Sequence, residues 1–250
     1  MPLSNKRILI TGAAGGIGST ALAAMSAAGA HVVGTFHNQQ PQPAPEGTPR
    51  WIRCDVTDPD SVTAGFAEAV DQLGGLDVLI HTAGHWEGGH PGTLDIEAAR
   101  RTIEVNFLST VLTNEAAYAT MGPAGGGHII NFGSSEGVSG SPISPIYAAA
   151  KAAVTAWTRS AARAWGRDRV TVNALAPAVA TPGLDRRREF LGPVAAAAEA
   201  ERLRAMIPIG GALGDPATAL APMLVFLAGD GADFITGQLI AVNGGLLMLG

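Results

Sequence analysis

Short apolar blocks alternate along the chain with longer stretches in which apolar residues recur at helical spacing. The blocks, each about five residues long, predict buried strands, and the longer stretches predict amphipathic helices. The predicted strands are Arg7–Ile10, His31–Phe36, Trp51–Cys54, Asp77–His81, His128–Phe132, Val170–Leu175 and Gln238–Val242. The predicted helices are Gly16–Ala28, Asp58–Leu73, Ile96–Met121, Ile146–Trp165 and Pro216–Leu227.

This alternation of strands and helices predicts an α/β fold built from right-handed βαβ units. We expect a Rossmann-type, doubly wound parallel sheet of about seven strands with helices on both faces. Residues 38–49 contain four prolines and predict a surface loop. Because ligands of such sheets bind beyond the carboxyl ends of the strands, the segments that follow strands are the places to look for chemistry.

Composition narrows the class of protein. With 250 residues, 47% of them hydrophobic, the chain suits a single domain over 1–250. The net charge is −5, and no run of Lys and Arg points to nucleic acid or an anionic membrane surface. No apolar stretch reaches membrane-spanning length, and the single cysteine, Cys54, allows no intramolecular disulfide. We therefore expect a cytoplasmic protein with a small-molecule ligand, neither nucleic acid nor membrane being a partner.

A glycine-rich segment follows the first predicted strand and opens the first predicted helix. It reads Thr11-Gly12-Ala13-Ala14-Gly15-Gly16-Ile17-Gly18. Gly12 permits a tight turn, and Gly16 and Gly18 let backbone approach a pyrophosphate closely at a helix N-terminus that carries free N–H groups. Its position between strand and helix favours a dinucleotide site over a simple turn. Asp55, which Val56 follows, either accepts from an adenine amino group or caps a local turn; the sequence leaves both open.

Tyr147 and Lys151 stand four positions apart, on one face of a predicted helix. Reduction of a carbonyl group requires a proton donor, and a phenol has a pKa near 10. A nearby ammonium group and an oxidised nicotinamide both favour phenolate, and a reduction of this pKa to about 7 corresponds to about 4 kcal/mol. Ser134, just past the fifth strand, could hold the substrate oxygen. The alternative is a partly buried helix pair with a snorkelling lysine.

Taken together, these residues resemble the short-chain dehydrogenase/reductase family over nearly the whole chain. Ser134 precedes Tyr147 by 13 positions, which is the usual spacing in that family. Further matches are the Thr11-Gly12-x-x-x-Gly16-x-Gly18 motif, Asn106, Val172-Asn173-Ala174 with Pro177, Gly237-Gln238 and Gly244-Gly245.

The resemblance implies an NAD(P)-dependent oxidoreductase that moves a hydride between nicotinamide and a carbonyl compound or secondary alcohol. Tyr147 would be the general acid/base, and Lys151 would bind the nicotinamide ribose and lower the pKa of Tyr147. Ser134 would orient the substrate, and Asn106 would hold a water that relays protons. The implied cofactor contacts are Thr11, Gly12, Ala14, Gly15, Gly16, Ile17, Gly18, Phe36, His37, Asn38, Asp55, Val56, Ala83, Gly84, Tyr147, Lys151, Pro177, Val179 and Thr181. The family also implies a homo-oligomer, a tetramer or dimer, in which Leu246–Leu249 would be buried.

Several departures from the family pattern affect the cofactor site. His81-Thr82-Ala83-Gly84 replaces the usual Asn-Asn-Ala-Gly, and the Pro177–Thr181 loop is about one residue short, with Ala178 in place of glycine. The acidic residue that would pair with the ribose 2′-OH of NAD is Phe36 here. His37 and Asn38 could donate to a 2′-phosphate, although His37 could equally be a solvated loop residue, so we predict NADP(H) over NAD(H).

The sequence gives less specific information about the substrate than about the cofactor. Residues 182–215 correspond to the lid of the family, and their apolar character predicts a largely nonpolar carbonyl compound. Arg186–Arg188 could bind an acidic substrate or carrier, but a solvated helix face is the favoured interpretation. His85 and Trp86 are expected to border the pocket, and His90 to lie in a loop. No cluster of His, Asp or Glu has metal-ligand spacing, and the chemistry needs no metal.

Two other functions use the same scaffold. A sugar-nucleotide epimerase or dehydratase would need an added substrate domain, for which the chain has no room. A dinucleotide-sensing regulatory protein is the alternative outside enzymes, and it would be expected to lose Tyr147 or Lys151.

Overall fold

Seven parallel strands form one sheet in the computed structural model, which describes residues 3–38, 41 and 50–248. The strands are β1 (Arg7–Thr11), β2 (His31–Phe36), β3 (Arg50–Arg53), β4 (Val78–His81), β5 (Gly127–Phe132), β6 (Val170–Pro177) and β7 (Leu239–Val242). They lie in the order β3-β2-β1-β4-β5-β6-β7. The order reverses between β1 and β4, which is where a doubly wound sheet forms its binding crevice.

Helices connect the strands. They are α1 (Gly16–Ala27), α2 (Pro59–Leu73), α3 (Ile96–Ile103), α4 (Ser109–Ala124), α5 (Glu136–Ser139), α6 (Pro145–Trp165), α7 (Pro182–Met206) and α8 (Ala221–Leu227). Local sequence explains several ends. For example, the Asp58 carboxylate accepts from Asp60 N at the start of α2, and Gly74 ends that helix with a left-handed φ of 72°.

The core consists of two apolar clusters, one on each face of the sheet. Alternation along β1 sends Ile8 and Ile10 into one cluster and Leu9 into the other. The first cluster is completed by residues of α1 and α8, and the second by residues of α2, α4 and α6. The sheet is thus buried on both faces, which is why its strands read as nearly continuous apolar runs.

The predicted fold is confirmed, and every predicted strand is present within two residues of its expected ends. The predicted helix Ile96–Met121 is wrong in one respect: a π-helical turn at Glu104–Leu108 separates α3 from α4. Helix α5 was not predicted. Of the predicted loop 38–49, only residues 38 and 41 lie within the described residues. In the whole described part of the chain, no helix combines the length and apolar character needed to cross a membrane.

Candidate active site

A cavity of about 1360 Å³ opens along the carboxyl ends of the strands. Ligand pockets commonly measure about 300–1,000 Å³, so this one has room for more than a single small molecule. The predicted site residues that line it are Gly12, Gly15, Gly16, Ile17, His37, Asp55, Val56, Ala83, Gly84, Asn106, Ser134, Tyr147, Lys151, Pro177, Val179 and Thr181. Those that do not are Thr11, Ala14, Gly18, Phe36 and Asn38.

The glycine-rich segment forms a cradle that side chains would close. Gly12 turns with a φ of 67°, and a Cβ there would lie 2.9 Å from the backbone of Ala83. A Cβ on Gly18 would lie 2.2 Å from Gly12 O, so the start of α1 can pack against the turn only as glycine. Gly15 faces open space, because a Cβ there would meet nothing within 4 Å beyond its chain neighbours. The backbone N–H groups at the start of α1 are therefore accessible to a phosphate group, and the cradle fits a dinucleotide.

Asp55 closes a turn at the end of the cavity where an adenine is predicted to bind. Its Oδ1 accepts from Thr57 N at 2.9 Å and from Thr57 Oγ1 at 2.7 Å, while its Oδ2 lies 3.4 Å from His37 Nε2. The turn interpretation of Asp55 thus accounts for one carboxylate oxygen. The residue still lines the cavity, so contact with an adenine stays a prediction.

Ser134, Tyr147 and Lys151 meet at the end of the cavity where the nicotinamide is predicted to bind. Helix α6 begins at Pro145 and carries Tyr147 and Lys151 on one face, with Lys151 Nζ 5.7 Å from the tyrosine ring centre. Lys151 is buried, and its ammonium group donates to Phe132 O at 3.0 Å. Ser134 Oγ accepts from Glu136 N at 3.1 Å.

Burial controls the titration of these groups. Desolvation raises the pKa of the Tyr147 phenol above its ordinary value, and the Glu136 carboxylate adds to this. A hydrogen bond with Ser134 and the charges of two nearby arginines act in the opposite direction. Desolvation also lowers the pKa of Lys151 to about 8. The pairing with Lys151 was expected to lower the pKa of Tyr147. In the protein without a bound cofactor, this pKa instead lies above its ordinary value.

Asn106 fastens the loop after β4 to the π-helical turn. Its Oδ1 accepts from His85 N at 3.1 Å, and its Nδ2 donates to His85 O at 2.8 Å and Thr102 O at 3.0 Å. The side chain is fully buried and lies beside Gly84, where a Cβ would be 3.1 Å from Asn106 Oδ1. This paired contact shapes the backbone next to Ala83. The water relay stays a prediction.

His81 occupies the end of β4 in a buried network that the sequence did not reveal. Its Nδ1 lies 2.8 Å from Thr11 Oγ1 and 3.0 Å from Thr113 Oγ1, and its Nε2 lies 3.2 Å from Ser109 Oγ. The network continues into the backbone, since Ser109 Oγ lies 2.7 Å from Val105 O and Thr113 Oγ1 lies 2.8 Å from Ser109 O. Desolvation, aided by Lys151, lowers the pKa of His81 to about 3. This neutral imidazole joins β1 and β4 to α4.

Helix α7 covers the part of the cavity next to Tyr147, which is the predicted substrate end, and is kinked at Gly192, where φ is 73°. Arg187 attaches α7 to the segment after Ser134: its guanidinium forms ion pairs with Glu136 of α5 and with Glu199 further along α7. Burial opposes this charge, but the hydrogen bonds from Glu199 and Glu136 outweigh it and raise the pKa of Arg187. The favoured interpretation of Arg186–Arg188 as a solvated face is thus wrong for Arg187, whose side chain is 18% exposed.

The loop after β4 also borders the cavity, as expected. His85 and Trp86 both line the cavity, and Trp86 packs edge-on against Phe190 of α7 with ring centres 5.8 Å apart. The prediction of an apolar lid needs correction, because α7 presents Arg186, Arg187 and Glu199 to the cavity beside its leucines.

Comparisons with known proteins find similarity to dehydrogenases and reductases. A family model described as enoyl-(acyl carrier protein) reductase matches residues 12–247. The cis-4-hydroxycyclohexanecarboxylate dehydrogenase of Sinomonas cyclohexanicum is 36% identical over 95% of this chain and 94% of its own. A 3-oxoacyl-[acyl-carrier-protein] reductase of Vibrio cholerae is 31% identical over the full length of both. Among solved structures, a short-chain type dehydrogenase/reductase from Mycobacterium ulcerans is similar with a TM-score of 0.87 and 27% identity, covering 98% of this chain and 91% of its own.

Proposed function

The chain belongs to the short-chain dehydrogenase/reductase family, and from this premise we propose that Tyr147 exchanges the proton with the oxygen of a ketone or secondary alcohol substrate. The chain is an oxidoreductase of CH–OH and C=O groups. A nicotinamide dinucleotide, when bound, supplies or accepts the hydride. The observation that carries the proposal is the meeting of Ser134, Tyr147 and Lys151 at one end of a cavity whose other end is a glycine cradle.

The residues have distinct roles in this proposal. The raised pKa keeps Tyr147 protonated in the protein alone, so that it can donate to a carbonyl oxygen. Ser134, which lies beside the phenol and lowers its pKa, positions the substrate oxygen next to it. The positive charge of Lys151 lies close enough to stabilise the phenolate left after the transfer. Asn106 fixes the loop that holds Ala83 and Gly84 against the nicotinamide end.

We propose NADP(H) as the preferred cofactor. Phe36 supplies no carboxylate to a ribose 2′-OH, and Arg53 lies beside it in the neighbouring strand. Arg53 Nε donates to His37 O at 3.3 Å, which brings a fixed positive charge next to His37. The sequence alone does not reveal the role of Arg53, because its position beside Phe36 follows from the register of β2 and β3. A 2′-phosphate would find the Arg53 guanidinium and the His37 ring at this end.

We further propose that the chain works as one domain, 1–250, with residues 182–215 closing over the substrate. The ion pairs of Arg187 support this, because they hold α7 against the segment that carries Ser134. A homo-oligomer, tetramer or dimer, is proposed from the family together with fully exposed Phe234 and largely exposed Met248.

The test is turnover of a panel of ketones and secondary alcohols with NADPH and NADH, using Tyr147→Phe and Tyr118→Phe. Tyr118 is the only other tyrosine, and its hydroxyl donates to Asp168 outside the cavity. We expect Tyr147→Phe to lose about 10²- to 10⁴-fold in kcat with cofactor affinity retained, and Tyr118→Phe to keep its activity.

Undiminished turnover in Tyr147→Phe would remove that residue from its role. A higher kcat/KM with NADH would overturn the cofactor proposal alone. Cofactor binding without turnover of any panel member would indicate the dinucleotide-sensing protein instead.

A further inference from the structure

Three consecutive arginines near the start of α7 occupy three different environments. Arg187 is buried between Glu136 and Glu199. Arg188 is exposed, lies 3.4 Å from Asp185 and does not line the cavity. Arg186 is exposed as well, but it lines the cavity. Arg186 is therefore the member of the run that lines the cavity without an ion pair among the described residues.

The charges around the substrate end leave Arg186 without an acidic partner. Arg186, Arg187 and Arg202 line this end together with two carboxylates, those of Glu136 and Glu199. Both carboxylates bind Arg187, and the second also lies 3.8 Å from Arg202. Among the described residues, none forms a salt bridge with Arg186. In a protein of net charge −5, this end of the cavity has an excess positive charge.

The position of Arg186 is close to the reacting groups without touching them. A Cβ on Gly183 would lie 3.7 Å from Arg186 Nη2 and 3.4 Å from Thr181 Oγ1, so the guanidinium folds back over the first turn of α7. Its charge acts on both Tyr147 and His85, lowering the pKa of each. No hydrogen bond joins Arg186 to Tyr147 or Ser134 within the described residues.

The cofactor phosphates are a poorer match for this cation. Pro182, the first residue of α7, lies beside the phosphate cradle, 3.6 Å from a Cβ on Gly16. The Cα of Arg186 stands one turn, about 6 Å, further along the helix, with its guanidinium folded back as far as Gly183. The cradle also supplies its own donors, the backbone N–H groups of the start of α1.

We propose that Arg186 binds a carboxylate group of the substrate, so that the protein acts on hydroxy or keto acids whose reacting carbon is separated from the acid group by several bonds. The inference rests on the proposed function, since it assigns the substrate class of the same site. A guanidinium offers two parallel N–H donors to a carboxylate, and this pairing is stronger than a bond between neutral groups. The acid group must lie several bonds from the reacting carbon, because Arg186 is near Tyr147 and Ser134 but forms no hydrogen bond with either among the described residues.

Binding of an unreactive probe tests the site directly. Calorimetric titration of the NADP⁺-loaded protein with cyclohexanecarboxylate and with cyclohexanecarboxamide compares a charged ligand with a neutral one of the same shape. We expect the carboxylate to bind more tightly, and Arg186→Gln to weaken it about 10- to 100-fold, the range for a hydrogen bond to a charged group. The amide should bind all variants alike. Arg188→Gln is the matched control and should behave as the unaltered protein.

Turnover separates this inference from the proposed function. With 4-oxocyclohexanecarboxylate and its methyl ester as substrates, Arg186→Gln should raise the ratio of KM for the acid to KM for the ester, whatever it does to the reaction common to both. Equal binding of carboxylate and amide to the unaltered protein would overturn the inference. A loss of NADP⁺ affinity in Arg186→Gln with the carboxylate unaffected would also overturn it and assign Arg186 to a cofactor phosphate. Carboxylate binding through Arg186 without turnover of either ketone would support the site while refuting the proposed function.

Discussion

At the scale of single residues, burial determines how the site titrates. Lys151 and His81 are both enclosed and close to one another, and each has a pKa well below its ordinary value. His81 remains neutral throughout the physiological range. It can therefore bind three hydroxyl groups without adding a second positive charge beside Lys151.

The low pKa of His81 predicts a loss of stability in acid. Between pH 6.5 and about 3, an unfolded chain binds the proton that the folded protein excludes, so stability falls as the pH falls. The loss amounts to about 1.4 kcal/mol per pH unit for one such group. Urea unfolding from pH 7 to pH 4.5 should give a shallower decline for His81→Asn than for the unaltered chain.

His31→Asn serves as the control for this experiment, because His31 is exposed at the start of β2. Its pH dependence should match that of the unaltered protein. Parallel curves for all three proteins would mean that His81 does not carry the acid sensitivity.

At the scale of elements, the local pattern of apolar residues was sufficient to predict strands that are buried along their whole length. The strand blocks Ile8–Ile10 and Val78–Ile80 are fully buried, so their apolar character alone revealed them. The π-helical turn could not be predicted in this way. It is accompanied by bonds of the Asn106 side chain to His85, 21 positions away, and no local periodicity encodes such a contact.

In the candidate site, too, some features could be predicted from local sequence and others depend on long-range contacts. The spacing of Tyr147 and Lys151 and the glycine-rich segment are local signals, and they led to the cavity directly. The ion pair of Arg187 with Glu136 joins residues 51 positions apart, and the contact of Arg53 with His37 depends on strand register. Such pairs become visible only when the elements are assembled.

Helix α7 should be less firmly held when its ion pair with α5 is removed. Glu136→Gln leaves Arg187 paired with Glu199 but removes the charge that links the two elements. We expect a destabilisation of α7 of about 1 kcal/mol, which corresponds to about fivefold faster amide exchange there. The same variant should shift the limb of the kcat profile due to Tyr147 to lower pH, because Glu136 raises the pKa of that phenol.

Glu201→Gln provides the comparison. Glu201 lies on the same helix in an exposed pair with Arg204, and such pairs contribute little. Exchange in α7 and the pH profile should both be unchanged in it. If Glu136→Gln left both measurements unaltered as well, the ion pair would not hold the lid.

At the scale of the whole molecule, the two ends of the sheet differ in chemistry. The carboxyl ends of the strands carry the cavity with its cations, although the chain as a whole is acidic. Near the other end, Phe234 precedes β7, the edge strand of the sheet, and is completely exposed. An open sheet edge next to an exposed aromatic residue is a surface that a second copy of the chain would cover.

This surface predicts an assembly that one charge should weaken. Burial of a large apolar side chain contributes about 1.5–3 kcal/mol, and symmetry repeats that contribution in every copy. Phe234→Asp should therefore shift the protein from a dimer or tetramer towards smaller species in sedimentation velocity. Val194→Asp is the control, since Val194 is 84% exposed but lies on the lid helix α7. A monomeric unaltered protein, or equal assembly of Phe234→Asp, would show that the edge beside β7 is not the interface.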